Sequence, residues 1–225
     1  METPFPLRHL EPFLKTKPLR RYAKERPIFY QGEIPQTAYV IKEGTVRVFG
    51  ITSSGEEKII HYLKRGDLLP DSWLFNRSPV ALYYYTAFTD CSLYVIGKDD
   101  FLQHINGNAT ALSDLFELMV TQRVGSSIHV HALEQSRAQD KIMRILQFLI
   151  IQFGHEVSNG EYLIDLRLTH QELANMVGLT RETTAVEVGR LKRRKILTYA
   201  KSQYRINYNA LLRSTSEDEF KGVKL

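Results

Sequence analysis

Hydrophobic positions along this chain alternate between the period of strands and that of helices. From Pro27 to about Lys98 they come in short runs, Ala38–Ile41, Thr45–Ile51, Lys58–Leu63 and Ser92–Ile96, parted by turn-forming clusters that begin at Gln31, Lys42, Ser53 and Arg65. Val46 and Val48 alternate with Thr45 and Arg47, the period of two that a half-buried strand requires. Short strands spaced by turn signals predict an antiparallel barrel or sandwich. Tyr83, Tyr84 and Tyr85 continue the theme: on a strand they point to alternate faces, one of which either lines an apolar cavity or packs the barrel. Residues 1–26, broken by Pro4, Pro6, Pro12 and Pro18, read as a helical or loop lead-in.

From about Asn108 the period becomes helical. Leu112, Phe116, Met119, Arg123, Ser126, Val130, Leu133 and Arg137 follow a four-three spacing, a heptad-like seam that predicts a coiled-coil dimer interface. Arg123, Ser126 and Gly125 interrupt it, and a long helix packed on its own barrel is the alternative. A break near Arg137 leads to a second helix, Gln139–Phe153, and then to an alternating strand at Glu161–Leu166.

The segment Leu168–Leu197, LTHQELANMVGLTRETTAVEVGRLKRRKIL, carries the sharpest pattern. Thr169 and Glu172 fit a capping box, so a helix should begin there, with Leu173, Ala174 and Val177 on its apolar face. Gly178 falls where the chain must turn, and a residue without Cβ tolerates positive φ. Thr180 then caps a second helix. Thr184, Val188 and Leu191 share one face of it, which leaves Arg181, Glu182, Ala185 and Val186 on the other near its N-terminus. That is the arrangement a helix-turn-helix presents to the DNA major groove; a solvated helical hairpin has the same spacing. Ile196–Ala200 and Tyr204–Ile206, around Lys201–Gln203, complete a wing.

Charge separates those two readings. The chain of 225 residues has a net charge of +5. Residues 137–213 hold 13 Lys/Arg against seven Asp/Glu, a net of +6, so the whole surplus lies around the helix-turn-helix. Its densest part is Arg190–Lys195, where cations suit a helix C-terminus and, beside a recognition helix, suit phosphates better. Cys91 is the only cysteine, which excludes an intramolecular disulfide and any all-cysteine zinc or iron–sulfur site within one chain. No apolar run reaches the roughly 18–20 residues of a membrane span, and Met1–Phe13 lacks the uninterrupted apolar region of a signal peptide. A cytoplasmic protein without membrane association is expected. No HExxH pair or GxxxxGK loop is present and Cys91 has no clear partner, so no enzyme activity is expected.

Taken over nearly its whole length, the chain resembles the CRP/FNR transcription regulators. Two stretches carry the resemblance: Gly32–Val48 (GEIPQTAYVIKEGTVRV), similar to the opening strands of the family's cyclic-nucleotide-binding-like β-roll, and Leu168–Leu197, with Gly178–Thr183 (GLTRET) especially close. The resemblance implies an α+β chain: an N-terminal antiparallel β-roll sensor domain over 1–107, a long dimerisation helix over 108–137, a winged helix-turn-helix over 138–213 and a flexible tail over 214–225. It implies a homodimer on double-stranded DNA with a pseudo-palindromic site, and RNA polymerase as a further partner, with the turn Ser53–Lys58 as its contact. Arg181 matches the family arginine that reads guanine and Glu182 the glutamate that accepts from cytosine N4, chemistry that their forks and lone pairs suit. Thr169, Gln171, Thr180 and Thr183 match phosphate-contacting positions, and Arg190, Lys192 and Arg193 are expected to join them. Ala185 and Val186 complete the base-facing set; Val186 stands where the family usually carries another DNA-facing arginine.

The effector pocket departs further. Nucleotide-binding members hold the ribose with a Gly-Glu-Leu glutamate and the cyclic phosphate with an Arg-Ser pair. Here Pro70 and Asp71 replace Gly-Glu, and Ala81 and Leu82 replace Arg-Ser, with Tyr83 following. Without its charged partner a phosphate loses a strong charge-assisted hydrogen bond, so tight cyclic AMP binding is not expected. Ser126 and Ser127 match positions that touch the purine. Haem would need one of His61, His104, His129 or His131 as axial ligand; no cofactor is expected. The effector is absent or is another small molecule. A β-roll sensor whose winged helix docks protein instead of DNA is the alternative from a different functional class.

Overall fold

The structure, a computed structural model, describes residues 5–215. Of the expected tail, residues 216–225 lie outside that range. The chain divides into two units at Val120/Thr121.

In the first unit, α1 (Glu11–Lys15) precedes β1 (Leu19–Tyr22), β2 (Pro27–Phe29), β3 (Ala38–Glu43), β4 (Val46–Ile51), β5 (Glu57–Leu63) and β6 (Leu68–Leu69); α2 (Asp71–Leu74), β7 (Tyr84–Ala87), β8 (Cys91–Ile96), α3 (Lys98–Asn106) and the start of α4 (Ala109–Glu134) follow. The strands form two antiparallel four-stranded sheets, ordered β1-β8-β3-β6 and β2-β7-β4-β5. β3 explains why its sequence is apolar without alternation. Tyr39 and Ile41 enter the core between the sheets with Phe29, Val46, Val48, Leu69 and Tyr85, while Ala38 and Val40 face a second core with Tyr94, Phe101, Ile105, Ala111 and Leu115. A strand covered on both faces reads as a continuous hydrophobic run.

The lead-in is more ordered than its prolines predict. Phe5, Leu7, Leu10 and Leu14 are buried in the second core, and His9 is clamped to Asp114 by its backbone N–H at 2.6 Å and its Nδ1 at 2.8 Å. Leu19–Tyr22 is a strand rather than lead-in, antiparallel to β8. Its LRRY sequence gives no apolar signal because it is an edge strand held by main-chain pairing.

In the second unit, α4 is followed by α5 (Ala138–Phe153), β9 (Gly154–Ser158), β10 (Glu161–Ile164), α6 (His170–Val177), α7 (Arg181–Arg193), β11 (Leu197–Ala200), β12 (Gln203–Asn207) and α8 (Tyr208–Ser214). The sheet order is β11-β12-β10-β9, all antiparallel. Ile142, Ile145, Leu146 and Leu149 of α5, Leu173 and Val177 of α6, and Val188 and Leu191 of α7 are buried. The ends of α4 and α6 share one ammonium: Lys141 Nζ donates to Leu133 O at 2.7 Å and to Val177 O at 3.4 Å, satisfying carbonyls that a helix end leaves without partners. His129 of α4 stacks on Phe148 and places Nε2 2.7 Å from Met176 O.

Helix α4 is continuous through Gly125 and two-faced. Ala111, Leu115, Ile128 and Ala132 are buried; Leu112, Phe116, Val120, Val130 and Leu133 are 41–68% exposed. The apolar residues of the predicted seam therefore lie largely on the uncovered face, with Met119 and Ser126 half-buried and Arg123 exposed.

The turn at Gly44 has a steric reason for glycine. With φ at +91°, a Cβ there would run into the Asp90 carbonyl oxygen and lie 2.8 Å from Cys91 Sγ; at Gly32, φ +85°, it would meet nothing within 4 Å. Gly32→Ala should cost about 1 kcal/mol, the left-handed backbone alone, and Gly44→Ala about 3 kcal/mol or more. Urea midpoints of the two variants, followed by circular dichroism, check the difference; equal midpoints would refute it.

Candidate nucleic-acid interface and effector pocket

Two local caps set the helix-turn-helix. Thr169 Oγ1 accepts from Glu172 N at 3.2 Å, and Glu172 Oε2 accepts from Thr169 N at 2.6 Å, a complete capping box. Gly178 ends α6 in the left-handed region, φ 66° and ψ 36°, donating to Ala174 O. Thr180 Oγ1 accepts from Thr183 N at 3.2 Å and opens α7 two residues after that turn. Each feature rests on residues within four positions, which is why the sequence located them.

The buried side of α7 carries Thr184, Glu187, Val188 and Leu191. Arg181, Glu182 and Val186 are exposed, and Ala185 is half-exposed, so the four base-facing candidates share the outer side. The phosphate candidates are more varied. Gln171 is exposed and donates to Asn175 Oδ1 at 2.7 Å. Thr169 directs both its N–H and its hydroxyl to Glu172, so neither donor is directed outward. Thr180 and Thr183 share one hydroxyl–hydroxyl hydrogen bond at 3.0 Å, which leaves one proton of the pair over for a phosphate oxygen. Arg190 Nη1 lies 2.5 Å from Glu187 Oε1. Lys192 and Arg193 are exposed in the last turn, where their charges oppose the negative end of the helix dipole.

Sequence reasoning did not single out His170, Tyr199 or Glu187. His170 stacks on Tyr199 of the wing, centroids 4.6 Å apart. Burial and then the Arg181 guanidinium push its pKa below the usual histidine value. The i,i+3 spacing of Glu187 and Arg190 was readable as a helix pair; the His170–Tyr199 stack, a contact across the wing, was not.

The six expected pocket residues divide between the units: Asp71, Ala81, Leu82 and Tyr83 in the first, Ser126 and Ser127 in the second. Asp71 opens α2, and its Oδ1 accepts from Ser72 N at 2.8 Å. Burial pushes its carboxyl up despite that hydrogen bond. The Tyr85 phenol is pushed up by burial first, then by Asp71 and Tyr83. Ala81 is buried and tied by backbone to the turn opposite, its N–H to Glu33 O at 2.9 Å and its O to Gly32 N at 2.8 Å. Leu82 is exposed; Tyr83 packs on the inter-sheet core while Tyr84 stacks on Phe49 at 5.2 Å. Arg65 lies over the Phe5 ring and Arg77 is exposed. Ser126 and Ser127 donate to the carbonyls of Gln122 and Arg123, one turn back in their own helix.

Comparison with known proteins adds identity to this geometry. Residues 19–108 match the cyclic nucleotide-binding domain and residues 143–214 the Crp-like helix-turn-helix domain. The cAMP-activated global transcriptional regulator CRP of Salmonella typhimurium is 29% identical over 182 residues, 81% of this chain and 84% of that protein. The HTH-type transcriptional regulator ArcR of Staphylococcus epidermidis is 27% identical over 193 residues, 85% and 83% of the two chains. Among solved structures, a cyclic nucleotide-binding domain containing protein from Listeria monocytogenes superposes with a TM-score of 0.77 at 17% identity, covering 91% of this chain and 99% of its own. The roll, the long helix and the capped helix-turn-helix thus occur here in the order and with the folds of one group of proteins, and the chain belongs to the CRP/FNR family of DNA-binding transcription regulators.

Proposed function

We propose that the protein is a homodimeric, sequence-specific regulator that reads a pseudo-palindromic DNA site without responding to cyclic AMP. The observation that carries the DNA reading is the outer side of α7: Arg181 and Glu182 exposed at its first turn, Lys192 and Arg193 at its last. Arg181 reads guanine through O6 and N7, and Glu182 accepts from cytosine N4. Gln171, Thr169, Thr180, Thr183, Arg190, Lys192 and Arg193 fix the register through phosphates. Thr169 does so after Glu172 releases a donor, and Arg190 with the nitrogens that Glu187 leaves over. The uncovered apolar face of α4 supports the dimer, because five exposed aliphatic and aromatic side chains on one helix need a partner surface. A twofold pair places two recognition helices about 34 Å apart, one DNA turn.

Ala81 and Leu82 support the absence of a cyclic AMP response, since neither pairs with a phosphate and Ala81 is buried. The roll then acts without a ligand or with one of different chemistry, bound by Asp71 and Tyr83 of the roll itself. The cytoplasm, where DNA and RNA polymerase are reached, is the compartment this reading requires, with the Ser53–Lys58 turn available to polymerase.

Three outcomes test the proposal. Selection from a random duplex pool should enrich a twofold symmetric site, and Arg181→Ala should weaken that site by about 1–3 kcal/mol per half-site while binding to unrelated DNA changes little. Unchanged specific affinity would remove Arg181 from the interface. Phe116→Glu should convert the dimer to monomer in sedimentation, since an unpaired charge cannot enter an apolar seam; a dimer that persists would place the interface elsewhere. Cyclic AMP at about 1 mM should leave the thermal midpoint unmoved, whereas a ligand at a hundred times its Kd adds roughly 2.7 kcal/mol.

A further inference from the structure

The outer side of α7 divides into three zones. At roughly 100° per residue, the buried positions Thr184, Glu187, Val188 and Leu191 fix the inner side, and Glu182, Ala185, Val186, Gly189 and Arg193 cluster around the opposite one. The first turn presents the polar heads of Arg181 and Glu182, and the last turn is basic. Between them, Ala185, Val186 and Gly189 offer no side-chain hydrogen-bonding group at all. Val186 is 51% exposed, one turn beyond Glu182 on the same line. Gly189 keeps the surface low: a Cβ there would meet only Arg193 Nη1, 3.8 Å away. The guanidinium of Arg190 is drawn to the buried Glu187 carboxylate, so its head group is engaged on the flank.

A surface flanked by cations at both ends will be pressed against duplex DNA, and an aliphatic window inside it must then meet base edges. The major groove has one apolar handle, the thymine 5-methyl; guanine shows two acceptors, and cytosine a donor. A valine laid on those polar edges would strip their water and return no hydrogen bond, which is costly. Laid on a methyl, it removes apolar surface from water on both partners.

We infer that Val186 is a specificity-determining residue that selects thymine, packing its γ-methyls on the 5-methyl of a base neighbouring the guanine–cytosine pair engaged by Arg181 and Glu182. This rests on the reading of α7 as the recognition helix and deepens it: the half-site is defined by two polar contacts and one methyl contact. Ala185 and Gly189 set how closely that methyl approaches.

The experiment uses the full chain and the duplex enriched by selection, with each thymine replaced in turn by uracil, which removes only the 5-methyl. Uracil at one thymine per half-site should weaken the wild-type protein by about fourfold for that half-site, the value of one buried methyl-sized group. In Val186→Ala, whose exposed position leaves the fold untouched, thymine and uracil duplexes should bind alike. Two results would overturn the inference while leaving the regulator standing: wild-type indifference to uracil at every position, or a full uracil penalty that persists in Val186→Ala, in either case with Arg181→Ala still losing the specific site. If no symmetric site is enriched and Arg181→Ala changes nothing, the reading of α7 itself falls, and the thymine contact with it.

Discussion

The burial of one side of α7 is the constraint on which the DNA-facing surface depends. Thr184, Val188 and Leu191 are sealed inside the second unit, so the rotation of the helix about its axis is not free. With the inner side fixed, Glu182 and Val186 must face out, and Arg181 is exposed as the first residue of the helix. The caps at Thr169 and Thr180 and the left-handed Gly178 fix the angle between α6 and α7, and each is worth on the order of 1 kcal/mol. Packing sets which residues are displayed; capping sets where the display begins.

In the roll, main-chain hydrogen bonds carry the junction at which Ala81 sits. Ala81 holds the strand junction through backbone hydrogen bonds to Gly32 and Glu33, which make no demand on its side chain. An arginine can therefore be absent from that position without loosening the sheet. The half-buried Asp71 carboxyl is pushed up by desolvation. The fold of the cyclic nucleotide-binding domain is kept with alanine and leucine at positions 81 and 82.

Local features were legible in the sequence and contacts across the chain were not. The capping box, the turn glycine and the inner face of α7 are matters of three or four residues, and periodicity exposed them. β1 was hidden because its strand character comes from β8 and not from its own LRRY. α3 was hidden because only Phe101 and Ile105 of its nine residues are buried, too few positions to establish a period. On α7, the exposure of Arg181 and Glu182 near the helix start was readable by spacing. The stack of His170 on Tyr199 depends on side-chain directions that no spacing encodes.

Lys141 ties the last turn of α4 to the last turn of α6 through two carbonyls, and His129 adds a second tie one residue earlier in α6, at Met176. The helix that ends at Gly178 is therefore registered against α4, as a machine part is located by dowels. The turn from which α7 starts is thus located from the end of α4 as well as from the core beneath it. Two side chains, one from α4 and one from α5, join three helices at the point where the chain turns toward α7.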